Sequence, residues 1–257
     1  MRRLVAVLVL CLVAACSSGG SQLEVGDGPL VYVPMGNSLT YWPEGSALID
    51  HYAAMLEEEF GVAVDRRAYA VADQRSDDFV TQLQNNDALR ADLIEADVVT
   101  FLIPIGEWDE PLMTFAGVAG HDRSECGGDD DQQCLRDMVA NYNTVVDEAF
   151  DELVSIVDLA TQVVLVQDIY QLHTERQGET TQLMYPYFQE AQLHVQETAA
   201  EHGIPVASVW NDFMGTDGEI PNLTEAGLVQ TDGVHPTEDG AQRIAALFHD
   251  LGYDLGS

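Results

Sequence analysis

The sequence predicts an α/β fold in which a five-stranded parallel sheet is flanked by helices. Five short apolar runs, rich in β-branched residues, alternate with longer amphipathic stretches. The short runs lack strict alternation of polar and apolar residues, as expected of strands that are buried on both faces. Strands that alternate with helices in this way favour a parallel sheet over an antiparallel one.

The predicted strands are residues 30–35, 61–65, 97–105, 162–167 and 204–209. Apolar stripes at helical spacing predict helices over 45–60, 132–158 and 184–202, and a last helix with Ile244, Ala245, Leu247, Phe248 and Leu251 on one face. Two segments, 106–131 and 211–236, show no clear element and are longer than loops usually are without a function. Each follows a strand, and ligands of open α/β sheets bind beyond the carboxyl ends of the strands.

Length and charge limit the classes of partner. The 257 residues, 46% of them apolar, suit one large domain with a sizeable core. The chain has no lysine, and 10 arginines face 44 acidic residues, for a net charge of -34. Such a surface repels nucleic acid and anionic lipid headgroups, so we expect neither as a partner. A salt-adapted or highly solvated surface is the simplest explanation of the charge.

The first twenty residues, MRRLVAVLVLCLVAACSSGG, have the pattern of an export signal. Two arginines precede an apolar run that is too short to span a bilayer comfortably, and small residues follow. The letters VAAC, ending at Cys16, look like a bacterial lipobox, in which the cysteine is lipidated; an ordinary cleaved signal with an incidental cysteine is the alternative. We therefore predict a signal peptide over 1–15, a flexible tether over 16–28 and a globular domain over 29–257. The protein would be exported to the cell envelope and held there by its lipid, or secreted after cleavage.

Cys126 and Cys134 flank a glycine-rich acidic loop, CGGDDDQQC. In an exported protein two such cysteines form a disulfide more often than they remain free thiols, which is the alternative. A zinc site would need more ligands than this segment offers. We expect no metal and no cofactor.

Ser38 lies in GNSLT, directly after the first predicted strand. A serine at a turn from strand to helix presents its hydroxyl at the edge of the sheet, and the backbone N–H groups that follow point toward an anion beside it. A serine in a turn can also be structural. A hydroxyl is a poor nucleophile unless a base takes its proton, so a catalytic role needs a histidine and an orienting acid elsewhere.

Asp232 and His235 lie three residues apart in TDGVHPTEDG, just before Pro236, which is predicted to begin the last helix. This spacing lets the carboxylate reach the imidazole of its own loop and fix its tautomer, so that the other ring nitrogen can accept a proton. The alternative is a helix entry rich in turn and capping residues, with an exposed histidine.

An early GNSLT combined with a late DGVHPT resembles the SGNH (GDSL) family of serine esterases and lipases, over roughly residues 29–253. The resemblance implies a flavodoxin-like three-layer α/β/α fold. It also implies that Ser38 is the nucleophile, His235 the general base and Asp232 the residue that orients the histidine.

The middle motifs depart from the family pattern. The family has a glycine after the second strand whose N–H helps to hold the oxyanion, and here AYAVADQRSDDF places Asp73 there. After the third strand the family has Gly-x-Asn-Asp, and GEWD places Trp108 in the position of the asparagine. The resemblance therefore implies an oxyanion hole made by Ser38, Asp73 and Trp108. Asn37 replaces an aspartate that braces the turn, a role an amide can also serve.

The residues favour a lipid-anchored serine hydrolase that cleaves carboxylic esters, either small acyl esters or acetylated glycans, through an acyl-enzyme. We expect a monomer whose contact with the membrane is made only by its lipid. One alternative is a weakened member of the fold that binds a glycan or a lipid without turnover. Another is an acyltransferase, which would use the same residues.

Overall fold

The computed structural model describes residues 22–26, 28–41, 47–215 and 219–255. The predicted signal peptide and Cys16 lie outside the described residues, so both remain predictions. None of the helices in these ranges is long and apolar enough to cross a bilayer.

A single parallel sheet forms the centre of the described chain. Its strands are β1 (Leu30–Gly36), β2 (Val64–Arg66), β3 (Tyr69–Ala70), β4 (Val98–Leu102), β5 (Val163–Gln167) and β6 (Val206–Ala207). The order is β2-β1-β4-β5-β6, and β3 also pairs with β1. Because β2 pairs with the beginning of β1 and β3 with its end, the two act as one interrupted edge strand. If β2 and β3 are counted as one strand, the strand order is 2-1-3-4-5, as in flavodoxin-like folds.

Helices cover both faces of the sheet. They are α1 (Ser38–Tyr41), α2 (Leu48–Phe60), α3 (Ser76–Asn85), α4 (Asp87–Glu95), α5 (Asp109–Ala116), α6 (Gln133–Val154), α7 (Glu179–Glu201), α8 (Val209–Met214) and α9 (Glu238–Asp250). Parallel crossovers are right-handed, so connections that step in opposite directions along the sheet lie on opposite faces. The connection through α2 steps from β1 toward β2, whereas the connections through α3, α6 and α7 step toward β6. The contacts agree, since α2 packs with α9, and α6 packs with both α3 and α7. The predicted three-layer fold is confirmed.

The three central strands explain the continuous apolar runs of the sequence. Every residue of β4 and β5 is buried, as is every residue of β1 except Val31. The polar groups inside this layer find partners, as when the hydroxyls of Tyr32 and Thr100 hydrogen-bond at 2.7 Å. Strands buried on both faces have no polar side to alternate with the apolar one.

Several predicted boundaries are wrong. The segment 106–131 was expected to lack elements but contains α5, and α8 begins at Val209, inside the last predicted strand. Pro236 does not begin the last helix: it forms a bridge with Val229, and α9 follows with Thr237 as its N-cap, whose Oγ1 accepts the N–H of Gly240 at 3.0 Å. Thr237, like serine and aspartate, can satisfy a free helix N–H, which a proline cannot do.

Residues 22–25, which fall within the predicted tether, contact the domain. Gln22 bridges to Asp254, and the N–H of Leu23 donates to the carbonyl of Tyr253 at 3.1 Å. Leu23 is buried, and Val25 packs against the core. These two apolar side chains hold residues 22–25 on the domain, because their burial removes apolar surface from water.

Candidate active site

Ser38 is the first residue of α1, two residues beyond the end of β1. Asn37 is buried, and its Oδ1 accepts the N–H of Leu39 at 3.0 Å, which fixes the turn as the sequence suggested. Gly36 has a φ of 145°, and a Cβ at this position would lie 2.4 Å from Oγ1 of Thr40. Only glycine therefore fits the residue that lets the strand turn into the helix.

The loop that carries His235 meets Ser38 at the carboxyl end of the sheet. Oδ1 of Asp232 accepts the backbone N–H groups of Val234 at 2.8 Å and His235 at 3.0 Å. Its Oδ2 lies 2.8 Å from Nδ1 of His235, and Nε2 of the same ring lies 3.0 Å from Oγ of Ser38. With a proton on Nδ1, which Asp232 accepts, Nε2 presents a lone pair to the serine hydroxyl.

The carboxylate of Asp232 is stabilised in its charged form. Partial burial raises its pKa, but the hydrogen bonds from the imidazole of His235 and from the N–H groups of Val234 and His235 outweigh burial and hold the pKa below its usual range. Asp232 therefore stays ionised at neutral pH.

A segment that follows β5 donates hydrogen bonds to the loop that carries His235. The N–H of His173 donates to the carbonyl of Gly233 at 2.7 Å, and the buried hydroxyl of Tyr170 donates to the carbonyl of Val234. Burial raises the pKa of Tyr170 far above neutrality, so this donor keeps its proton. Gly233 has a φ of 74°, and a Cβ there would collide with the carboxylate of Glu175. Sequence inspection did not identify this support, because it depends on a contact between distant segments.

A cavity of about 160 Å³ lies above Ser38. Its lining comprises Asn37, Ser38, Leu39, Asp73, Ile105, Gly106, Asp109, Leu172, Val234 and His235. Two of the residues expected at the oxyanion hole, Ser38 and Asp73, are among them. Within the described part of the chain neither the N–H of Ser38 nor that of Asp73 has a hydrogen-bond acceptor. Both donors are available to a substrate oxygen.

The backbone at Asp73 has the conformation that a glycine would favour. Its φ is 53°, in the left-handed region where aspartate is tolerated better than most residues. The turn is fixed from the next strand end: the N–H of Gly106 donates to the carbonyl of Gln74 at 3.0 Å. A Cβ on Gly106 would lie 2.5 Å from that same carbonyl oxygen, so glycine is required there for close approach of the two loops.

Trp108 does not lie where the motif predicted. Its side chain is fully buried, with ring contacts to Tyr142 of α6 and Phe188 of α7 at centroid distances of 5.1 Å each. It does not line the cavity, and its Nε1 is enclosed within the protein. The assignment of Trp108 as an oxyanion donor is therefore wrong, because packing against two aromatic rings places the indole in the core.

Asp109 lines the cavity beside Gly106, although no role was predicted for it. It is the last letter of GEWD and the first residue of α5. The cavity thus has two exposed carboxylates, those of Asp73 and Asp109, near the backbone donors.

Cys126 and Cys134 form the predicted disulfide, with their Cα atoms 4.7 Å apart. It joins the loop after α5 to the first turn of α6. Across the described ranges no group of three or more histidine, cysteine, aspartate or glutamate side chains could hold a metal ion.

No protein-family model matches the sequence, and no curated protein matches it. Solved structures match its fold. A lipase from a goat rumen metagenome, Lip_vut3, superposes with a TM-score of 0.67 at 16% identity, over 87% of this chain and 98% of that one. A putative GDSL-like lipase from Parabacteroides merdae gives 0.59 at 13% identity, over 90% and 98%. A variant of an acetyl xylan esterase from Geobacillus stearothermophilus gives 0.55 at 14% identity, over 90% and 98%. The fold is that of SGNH (GDSL-type) lipases and esterases, as the motifs predicted.

Proposed function

We propose that the protein is a serine hydrolase that cleaves carboxylic esters through an acyl-enzyme on Ser38. The observation that carries this proposal is the continuous chain of contacts from Asp232 through His235 to Ser38, with distances of 2.8 and 3.0 Å. A nucleophile, a base and an orienting acid within hydrogen-bond reach define nucleophilic catalysis by serine.

In the first half-reaction Oγ of Ser38 attacks the ester carbonyl while its proton passes to Nε2 of His235. The carbonyl oxygen becomes negatively charged, and the N–H groups of Ser38 and Asp73 would hold it. When the carbon–oxygen bond to the alcohol breaks, His235 returns the proton to the leaving alcohol. Asp232 stabilises the imidazolium between these two steps.

In the second half-reaction water replaces the alcohol. His235 removes a proton from water as the water oxygen attacks the acyl carbon, and the proton then passes to Oγ as the acid is released. Ser38 and His235 return to their starting states. Apart from the ester and one water molecule, no group outside the chain is needed for the balance of atoms or charge.

We propose that the protein is exported and lipidated on Cys16, so that the domain acts on esters at the cell envelope. Mass spectrometry of the mature N-terminus tests this: a lipid on Cys16 that is lost in Cys16→Ser supports the anchor. An unmodified N-terminus, or retention of the first fifteen residues, contradicts it.

Esterase activity is tested with the soluble domain, from residue 22 onward, and a panel of aryl esters and acetylated glycans. The proposal predicts turnover that is lost in Ser38→Ala. Cleavage of aryl acetates without cleavage of any glycan acetate would favour small acyl esters as the substrate. Transfer to an added sugar acceptor, in preference to water, would identify an acyltransferase.

A second candidate is a binding protein that keeps the fold without efficient turnover. The two carboxylates of Asp73 and Asp109 favour it, since negative charge near a developing oxyanion opposes the reaction. Under this alternative wild type and Ser38→Ala would bind the same glycan or lipid equally well, and neither would hydrolyse an ester.

A further inference from the structure

A second cavity, of about 410 Å³, opens beside the one above Ser38. Asp109 and Val234 line both cavities, so the two meet at these residues. The second cavity runs between α5 and the segment that leads into α7. It is more than twice as large as the cavity above Ser38, which is about 160 Å³. We call the larger cavity the α5 groove.

The α5 groove is mainly apolar. Leu112, Met113 and Ala116 line it from α5, and Met184 lines it from α7. Val118, just beyond α5, is an exposed valine at its rim. Methionine side chains are flexible and adapt to irregular apolar shapes. Such a lining suits an aliphatic chain better than a sugar, whose hydroxyls would lose hydrogen bonds to water.

Arg176, which lines the α5 groove, is paired with an acidic residue of the protein. Nε of Arg176 lies 3.4 Å from the carboxylate of Glu175. Burial, with the nearby charge of Arg176, holds the pKa of His173 below its usual value, so this ring is neutral at physiological pH. Asp109, at the junction with the reaction cavity, repels a carboxylate on an incoming chain. The groove is therefore suited to an uncharged chain.

We propose that the α5 groove holds the aliphatic acyl chain of the ester, so that the enzyme prefers medium-chain acyl esters to acetates. This inference rests on the proposed ester hydrolysis at Ser38. Asp73, which lines the reaction cavity but not the α5 groove, is exposed to solvent. An exposed part of the cavity suits the alcohol, which must leave before water attacks. The acyl group stays bound through both half-reactions and gains most from an enclosing groove.

The first experiment measures kcat/KM for 4-nitrophenyl acetate, butyrate, hexanoate and octanoate. Each methylene that enters the groove contributes about fourfold, since burial of one methylene is worth about 0.8 kcal/mol. We expect kcat/KM to rise along this series. A matched series of acetate esters of lengthening alcohols should stay flat. A rise in the alcohol series alone would overturn the acyl assignment.

Two substitutions test the location of the chain. Ala116→Phe fills the α5 groove, and Val118→Asp places a charge at its rim. Each should lower the ratio of octanoate to acetate kcat/KM by about tenfold or more, because the chain loses about two buried methylenes. The matched controls are Ala140→Phe on an exposed position of α6 and Ile94→Asp on an exposed position of α4. Both controls should keep the wild-type ratio. Equal ratios in all five proteins would overturn the proposal.

A binding measurement separates this inference from the proposed reaction. Octanamide and acetamide are uncharged and are not esters, so calorimetric titration reports on the α5 groove without turnover. Wild type should bind octanamide at least about a hundredfold more tightly than acetamide, and Ala116→Phe should lose this preference. Octanamide binding without any ester cleavage would contradict ester hydrolysis at Ser38 and support chain binding in the α5 groove. Ester cleavage limited to acetates, with no octanamide binding, would support the hydrolysis and contradict chain binding in the groove.

Discussion

Nε2 of His235 lies 3.0 Å from Oγ of Ser38, although 197 residues separate them in the sequence. β1 ends two residues before Ser38 and α9 begins three residues after His235, so the parallel sheet brings both residues to its carboxyl end. Ligands of flavodoxin-like folds bind at this end of the sheet. The contact gives the site its proposed chemistry.

Asp232→Asn should lower kcat by about 10³ to 10⁴, because an amide cannot fix the tautomer or stabilise the imidazolium as a carboxylate does. KM should change little, since Asp232 does not touch the substrate. Steady-state kinetics with an aryl ester measures both constants. A variant with more than a tenth of the wild-type kcat would contradict the role of Asp232.

Asp73→Gly should raise kcat by about three- to tenfold. Glycine keeps the backbone N–H, adopts the φ of 53° without strain, and removes a carboxylate from the region of the developing charge. Asp73→Asn is the matched variant, because it keeps the size and tolerates the same φ while it removes the charge. Both should show the same gain, measured at low salt. A loss of kcat in both would mean that the carboxylate assists the reaction.

Tyr170→Phe should lower kcat about tenfold by releasing the carbonyl of Val234, next to the catalytic histidine. It should also reduce the free energy of unfolding by about 1–3 kcal/mol, since a buried acceptor loses its partner. Tyr142→Phe is the control: this buried hydroxyl donates to the carbonyl of Ile103 at 3.2 Å, away from the histidine loop. Urea unfolding should show losses in both variants, and kinetics a loss only in the first. Equal kcat values would show that Tyr170 has no positioning role.

Asp168 should make the protein less stable as the pH rises from about 4 to about 7. Burial raises its pKa to about 6, although hydrogen bonds from Trp210, Gln196 and Ser208 oppose the shift. The folded state therefore binds this proton more tightly than the unfolded state, whose carboxyl has its model value of 3.8. The resulting stability is present below pH 4 and is lost through pH 6, by about 3 kcal/mol.

The measurement is urea unfolding of wild type and Asp168→Asn across this pH range. The difference in the free energy of unfolding between the two proteins should change by about 3 kcal/mol, in the direction that weakens wild type at higher pH. Asp78→Asn, on an exposed position of α3, controls for the removal of one negative charge from this acidic protein. A constant difference for Asp168→Asn would show that the carboxyl ionises freely in the folded state.

The fold and the contact between Ser38 and His235 could be predicted from the sequence, but the whole site could not. Buried strands and the motifs around Ser38 and His235 are local patterns, so they can be recognised from neighbouring residues alone. Trp108 was placed wrongly because its direction is set by Tyr142 and Phe188, more than thirty residues away in the chain. β3 was missed because two residues are too few for any periodicity. The support from Tyr170 also depends on a distant contact.

Activation of Ser38 by His235 is tested most directly by covalent labelling with a fluorophosphonate probe, which reacts with a serine activated by a neighbouring base. Digestion and mass spectrometry locate the adduct. We expect one adduct, on Ser38, that is absent in Ser38→Ala and at least about a hundredfold slower to form in His235→Ala. Folded wild-type protein that takes up no label, or the same labelling in Ser38→Ala, would contradict this activation.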